Sequence, residues 1–62
     1  MNNAQRKKLL EAKEIIEDTI YDEQVKLDNL PENLQHSKVA EAMEDAIQWL
    51  EEARDALNEV GV

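Results

Sequence analysis

The chain has 62 residues, enough for one domain at most, and its 15 acidic and 7 basic side chains give a formal net charge of −8. With no cysteine and a single histidine, neither a disulfide framework nor a zinc site of thiolates or paired imidazoles is available. A field of this sign repels nucleic-acid phosphates and anionic membrane surfaces, and no apolar run approaches the ~18 residues that cross a bilayer. A core of this size supplies roughly 3 to 5 kcal/mol by itself. Self-association or unusually good helix packing is therefore expected, and a dimer is the simplest form.

Residues 1 to 13 hold four basic side chains, Arg6, Lys7, Lys8 and Lys13, against one acidic, Glu11. Leu9 and Leu10 follow that basic run, but Glu11 interrupts them at once, so nothing resembles a secretory leader, and a cytoplasmic setting is expected. From about residue 4 to 28 the composition is rich in Ala, Leu, Glu, Lys and Gln and predicts a helix, with Asn2 or Asn3 available to cap it. Leu9, Ala12, Ile16, Ile20 and Leu27 fall on one stripe of it, of a width suited to a single neighbouring helix. Glu23 lies on the same stripe, where a carboxylate needs water or a cation; a rim position with a packed stem and a wet head suits it. Leu10 and Tyr21, together with Val25, form a separate strip that reads equally as an exposed docking site and as a contact with a second copy.

Pro31 is the only proline, and the chain's one internal break is expected around it, over about residues 29 to 37. Asn29 suits a turn, Leu30 is pushed out of the helical region by the proline after it, and Pro31 can open a short helical turn through Leu34. His36 reads as a solvated turn residue. Ser37 caps a second helix, about 38 to 60, without a reciprocal partner because Ala40 stands three residues later; Gly61 ends it.

The second helix is apolar around about half its circumference or more: Val39, Ala40, Ala42, Met43, Ala46, Ile47, Trp49, Leu50, Ala53, Ala56, Leu57 and Val60. One neighbour cannot cover such an arc. The predicted fold is thus all-α, an antiparallel two-helix hairpin forming a single domain over residues 1–62 and dimerising into a four-helix bundle. Ala42, Ala46, Ile47, Trp49, Leu50, Ala53 and Ala56 are the expected self-association surface, with Trp49 read as dimer core in preference to an anchor for a foreign partner. Antiparallel pairing also brings Arg6, Lys7, Lys8 and Lys13 toward Glu51, Glu52, Asp55 and Glu59, a weak electrostatic support.

Catalysis is not expected. Glu14, Asp18, Glu41, Glu44 and Asp45 stand at helical spacings that faintly resemble the acidic motifs of all-helical nucleotide pyrophosphatases and di-iron bundles, but Glu41, Glu44 and Asp45 lie on the polar side of their helix. Di-iron sites also want a Glu-x-x-His step, which His36 does not complete. No phosphate loop, nucleophilic cysteine or serine–histidine pairing with a supporting acid is present. No cofactor or metal is called for.

The stretch Tyr21-Asp22-Glu23-Gln24, then Asp28-Asn29-Leu30-Pro31-Glu32-Asn33-Leu34-Gln35, Ser37, Glu41 to Ile47 and Leu50 to Ala53 resembles a group of small acidic helical-hairpin proteins of bacteriophages and prophages. The resemblance spans roughly residues 18 to 57, and the Asn-Leu-Pro-Glu-Asn-Leu-Gln turn is its specific part. It implies a phage-type accessory protein acting in the host cytoplasm and carries no functional residues with it. Joined to the composition, it gives a small non-enzymatic protein that self-associates and binds a protein target with a basic patch, inhibiting a host or defence factor. Leu10, Tyr21, Val25, Glu44, Asp45 and Glu52 are the candidate partner-binding residues, although the acidic surface also reads as simple solubilisation. One alternative is an oligomeric sponge for a small anionic ligand such as a nucleotide signal, held by Arg6, Lys7, Lys8, Lys13, Lys26, Lys38 and Arg54 converging after assembly. Another is a structural phage protein.

Overall fold

A computed structural model describes residues 1–62 as two helices, α1 (Asn3–Asp28) and α2 (Lys38–Val60), joined through a 3-10 turn at Glu32–Leu34. Local chemistry accounts for each boundary. Asn2 caps α1: its Oδ1 accepts from the Gln5 N–H at 2.8 Å while Gln5 Oε1 accepts from the Asn2 N–H at 3.0 Å, a reciprocal box that satisfies two orphan donors. The helix stops at Asp28, three residues before Pro31, and Asn29 adopts a turn conformation (φ −96, ψ 4). Lys26 occupies its last turn, where a cation suits the helix dipole.

Ser37 does two jobs at the start of α2. Its Oγ accepts from the Ala40 N–H at 3.4 Å and donates to the Leu34 carbonyl at 2.6 Å, so one hydroxyl ties the 3-10 turn to the helix it caps. At the other end Gly61 takes the left-handed conformation (φ 97). The Gly61 N–H donates to Asn58 at 3.0 Å and the Val62 N–H to Leu57 at 3.4 Å, the double bond of a Schellman stop. The caps at Asn2, Ser37 and Gly61 are therefore all present, each with its bonds, and the chain breaks around Pro31 as expected.

The helices pack through a heptad seam. Labelling positions a to g, Leu9, Lys13, Ile16, Ile20, Glu23, Leu27 and Leu30 recur at alternating steps of four and three, and every one is partly buried. On α2 the matching set is Ala40, Met43, Ile47, Leu50, Arg54 and Leu57, again all buried or partly buried. Antiparallel heptads stack a on d, which sets Leu27 level with Met43, Ile20 with Leu50, Ile16 with Arg54 and Lys13 with Leu57. Three contacts agree with that register: Leu27 and Glu44 line one depression, Lys13 Nζ donates to a Val62 oxygen at 3.1 Å, and Arg6 Nη1 lies 3.6 Å from where a side chain on Gly61 would begin.

The anticipated charge pairing between the helices is not made. All four ion pairs are within one helix: Lys13–Glu17 at 4.0 Å, Lys26–Glu23 at 3.2 Å, Arg54–Glu51 at 3.9 Å and Arg54–Asp55 at 3.2 Å. The cause is position. Lys13 and Arg54 occupy a sites, so their stems enter the seam and their heads emerge beside carboxylates of their own helix, while Lys7 and Lys8 stand at outward b and c positions. Glu23, at a d site, keeps its side chain 26 % exposed and reaches Lys26, the wet-headed rim placement expected of it.

Two results follow for stability. Ser37→Ala removes the cap and the link to Leu34 together and is expected to cost about 1 to 2 kcal/mol, read as a lower midpoint in thermal unfolding followed by far-UV circular dichroism. Glu23→Leu completes the hydrophobic heptad opposite Ile47 and is expected to gain about 1 kcal/mol, a rise of roughly 4 to 8 °C at matched protein concentration.

Candidate functional site

The hairpin is long and thin. Its radius of gyration is 14.5 Å and its extents are 49 × 15 × 11 Å, against roughly 10 to 11 Å for a compact chain of this length. It exposes 4789 Å², compared with about 4,100 Å² for a folded monomer of this mass. Only Ala40 (1 % exposed) and Ile47 (7 %) are buried. Apolar side chains that α1 does not cover therefore have to lie somewhere on the outside.

On α2 they lie in one line. The half-apolar circumference resolves into two heptad stripes offset by a single residue. The a/d stripe faces α1. The other, at g and c positions, is Val39, Ala42, Ala46, Trp49, Ala53, Ala56 and Val60, with steps of three and four and no polar interruption. Trp49 is 67 % exposed, so the hairpin core makes no use of the indole. Val39 and Val60 are exposed at the two ends, and only Ala46 is partly shielded.

This geometry divides the residues anticipated for self-association. Ala42, Ala46, Trp49, Ala53 and Ala56 belong to the outer stripe. Ile47 and Leu50 do not: they sit in the a/d seam, where Ile47 is buried and therefore withdrawn from an outer contact, and Leu50 is partly buried. Val39 and Val60 extend the outer stripe at both ends. Their heptad spacing was the signal that marked them, one residue out of phase with the seam.

The candidate partner-binding residues are exposed but scattered. In an antiparallel pair e positions share one side of the hairpin and g positions the other. Leu10 at e, Tyr21 at b and Glu44 at e thus share the side away from the outer stripe. Val25, Asp45 and Glu52 stand at f, on the backs of their two helices. Ile15, at c on α1 and 66 % exposed, shares the side of the outer stripe; helical periodicity does not mark it, because it lies off the main stripe of its own helix.

The surface elsewhere has little concavity. One shallow depression at the turn end is lined by Leu27, Asp28, Gln35, His36 and Glu44. No three His, Asp or Glu side chains are grouped to hold a metal ion, and no buried side-chain polar atom lacks a partner. No helix is long and apolar enough to cross a membrane. Comparison with known proteins finds no family model, curated protein or solved structure that matches the chain.

Because Trp49 owes its exposure to the outer stripe being uncovered, its acrylamide quenching reports on whatever covers that stripe. At high dilution the quenching constant is expected to approach that of a free indole, and to fall several-fold as the protein is concentrated.

Proposed function

We propose that the chain is a small non-enzymatic accessory protein that works as a self-associated helical assembly and binds a protein target through its acidic outer surface. The observation that carries this reading is the uninterrupted apolar stripe from Val39 to Val60 on a helix whose other outward positions are charged or polar. An exposed apolar line of that length marks an interaction surface in a small protein, and neither a catalytic pocket nor a grouped donor set competes with it for the role. The turn's resemblance to phage hairpin proteins supplies the setting: a factor acting in a bacterial cytoplasm on a host or defence protein, with inhibition as the mode of action.

The charge favours a basic target over a small anionic ligand. Asp28 and Glu44 stand at the one depression, and the basic residues are spread along both helices, with Arg54 and Lys26 already paired to carboxylates. A sponge for a nucleotide needs cations that converge, and this arrangement does not favour one.

Sedimentation and pull-down test the two halves separately. Wild-type protein is expected to sediment as an oligomer, and Ala53→Glu, which sets a carboxylate in the middle of the stripe, as a folded or partly folded monomer. A fully helical wild-type monomer at all concentrations would sink the self-association half. For the target, tagged protein added to bacterial lysate is expected to retain a stoichiometric protein partner in low salt and lose most of it near 0.5 M salt, where the Debye length falls to about 4 Å. Retention unchanged by salt rules out an electrostatically held target.

A further inference from the structure

We infer that the occupant of the outer stripe is the same stripe of a second copy, running antiparallel across a two-fold axis at Trp49. This rests on the self-association proposed above and deepens it by naming the partner surface and its geometry.

The first observation is that the stripe reads the same from either end. Outward from Trp49 come Ala46 and Ala53, then Ala42 and Ala56, then Val39 and Val60, each pair equidistant from the tryptophan to within one residue. A two-fold contact requires one surface to be complementary to itself, so that residue i meets j while j meets i. For two antiparallel helices that demand is a palindrome, and Val-Ala-Ala-Trp-Ala-Ala-Val satisfies it. Alanine meets alanine on both sides of the centre, letting the backbones approach closely. The one large side chain sits at the axis, where each indole can lie across Ala46 or Ala53 of the other copy.

The second observation is charge. The f positions flank the stripe on its open edge: Lys38, Asp45, Glu52 and Glu59. In the antiparallel pair Lys38 of each copy lies beside Glu59 of the other, one favourable pair at each end. Within one chain these two residues stand at opposite ends of α2, separated by roughly 30 Å of helix, so they interact only between copies. Asp45 and Glu52 meet near the middle and repel. That repulsion weakens as salt screens it, so self-association is expected to tighten with salt, opposite to the behaviour of a basic target.

The third observation favours α2 over α1 as the occupant. The side of α1 in phase with the outer stripe carries Lys8, Ala12, Ile15, Thr19, Asp22 and Lys26. Its apolar line is broken at Lys8, Asp22 and Lys26, and setting those heads against Val39 and the alanines would bury charge in an apolar contact. The α2 stripe covers itself without that penalty.

The natural chain lacks cysteine, so disulfide trapping reads the geometry directly. Ala42→Cys and Ala56→Cys variants, mixed under mild oxidation, are expected to cross-link about tenfold more efficiently than either variant alone. Faster trapping of Ala42→Cys with itself means a parallel pair and overturns the proposal while leaving self-association intact. A stable oligomer trapped by neither variant nor mixture also overturns it, because the interface is then elsewhere. A monomeric wild type overturns both readings. Circular dichroism on each variant verifies that it folds. Charge reversal adds a readout independent of cysteine: Lys38→Glu is expected to weaken dimerisation several-fold, and the added change Glu59→Lys to restore it. Failure of that rescue in folded protein counts against the two-fold register.

Discussion

The a/d contact between α1 and α2 is the constraint on which the rest of the molecule depends, and its centre of gravity is Ile47. This is the one large apolar side chain the hairpin buries. It fixes the rotational setting of α2, and that setting decides which of the helix's apolar residues are spent inside the chain. Because a and d positions face α1, the residues one step earlier in sequence must emerge roughly 100° away, and Trp49, standing two after Ile47, is carried outward with the alanines of that second line. The exposed stripe is thus a consequence of the internal seam, not an independent patch.

The seam that creates the stripe is the one of the two lines that charge interrupts. Lys13, Glu23 and Arg54 occupy core positions, each half-buried and each leaning on a carboxylate or cation of its own helix. Polar side chains at a and d positions lower stability while penalising slipped registers, because a slip moves their heads into the apolar interior. Exposed pairs of this kind contribute a few tenths of a kcal/mol, so they leave the hairpin short of apolar burial. The outer stripe has no such interruption. The chain thus keeps charges in its internal seam and an unbroken apolar line, centred on the exposed Trp49, on its outside.

Much of this was legible in residue order because the signals were local. Pro31, Asn29, Ser37 and Gly61 act over three or four residues, and each does in the structure what its chemistry dictates, down to the single cap bond at Ser37. The width of the apolar arc on α2 was also readable, since it depends only on periodicity. What periodicity could not supply was the phase of the contact. Ile47 and Leu50 looked as suitable for an outer surface as Ala46 and Trp49, and only the packing against α1 separates them. The interhelical ion pairs failed for the same reason: closeness at one end of a hairpin does not say whether a long side chain enters the seam or points along its own helix. For the scattered set of Leu10, Tyr21, Val25, Glu44, Asp45 and Glu52, composition marked the residues without placing them on a common face.

Charge bears on how far association can go. With the a/d seam internal and the g/c stripe covered in the proposed pair, the remaining positions of α2 are b, e and f, where Glu41, Glu44, Asp45, Glu51, Glu52, Asp55 and Glu59 predominate. Those faces repel their own kind. A further copy finds no apolar line to add to on α2, and on α1 it meets Leu10, Ile15, Tyr21 and Val25, which are exposed but form no continuous line. A closed two-fold contact also uses its surface up, whereas a head-to-tail contact leaves one end free to grow. In the proposed pair the palindromic stripe would supply a self-limiting attraction, while the acidic surface would oppose other packings.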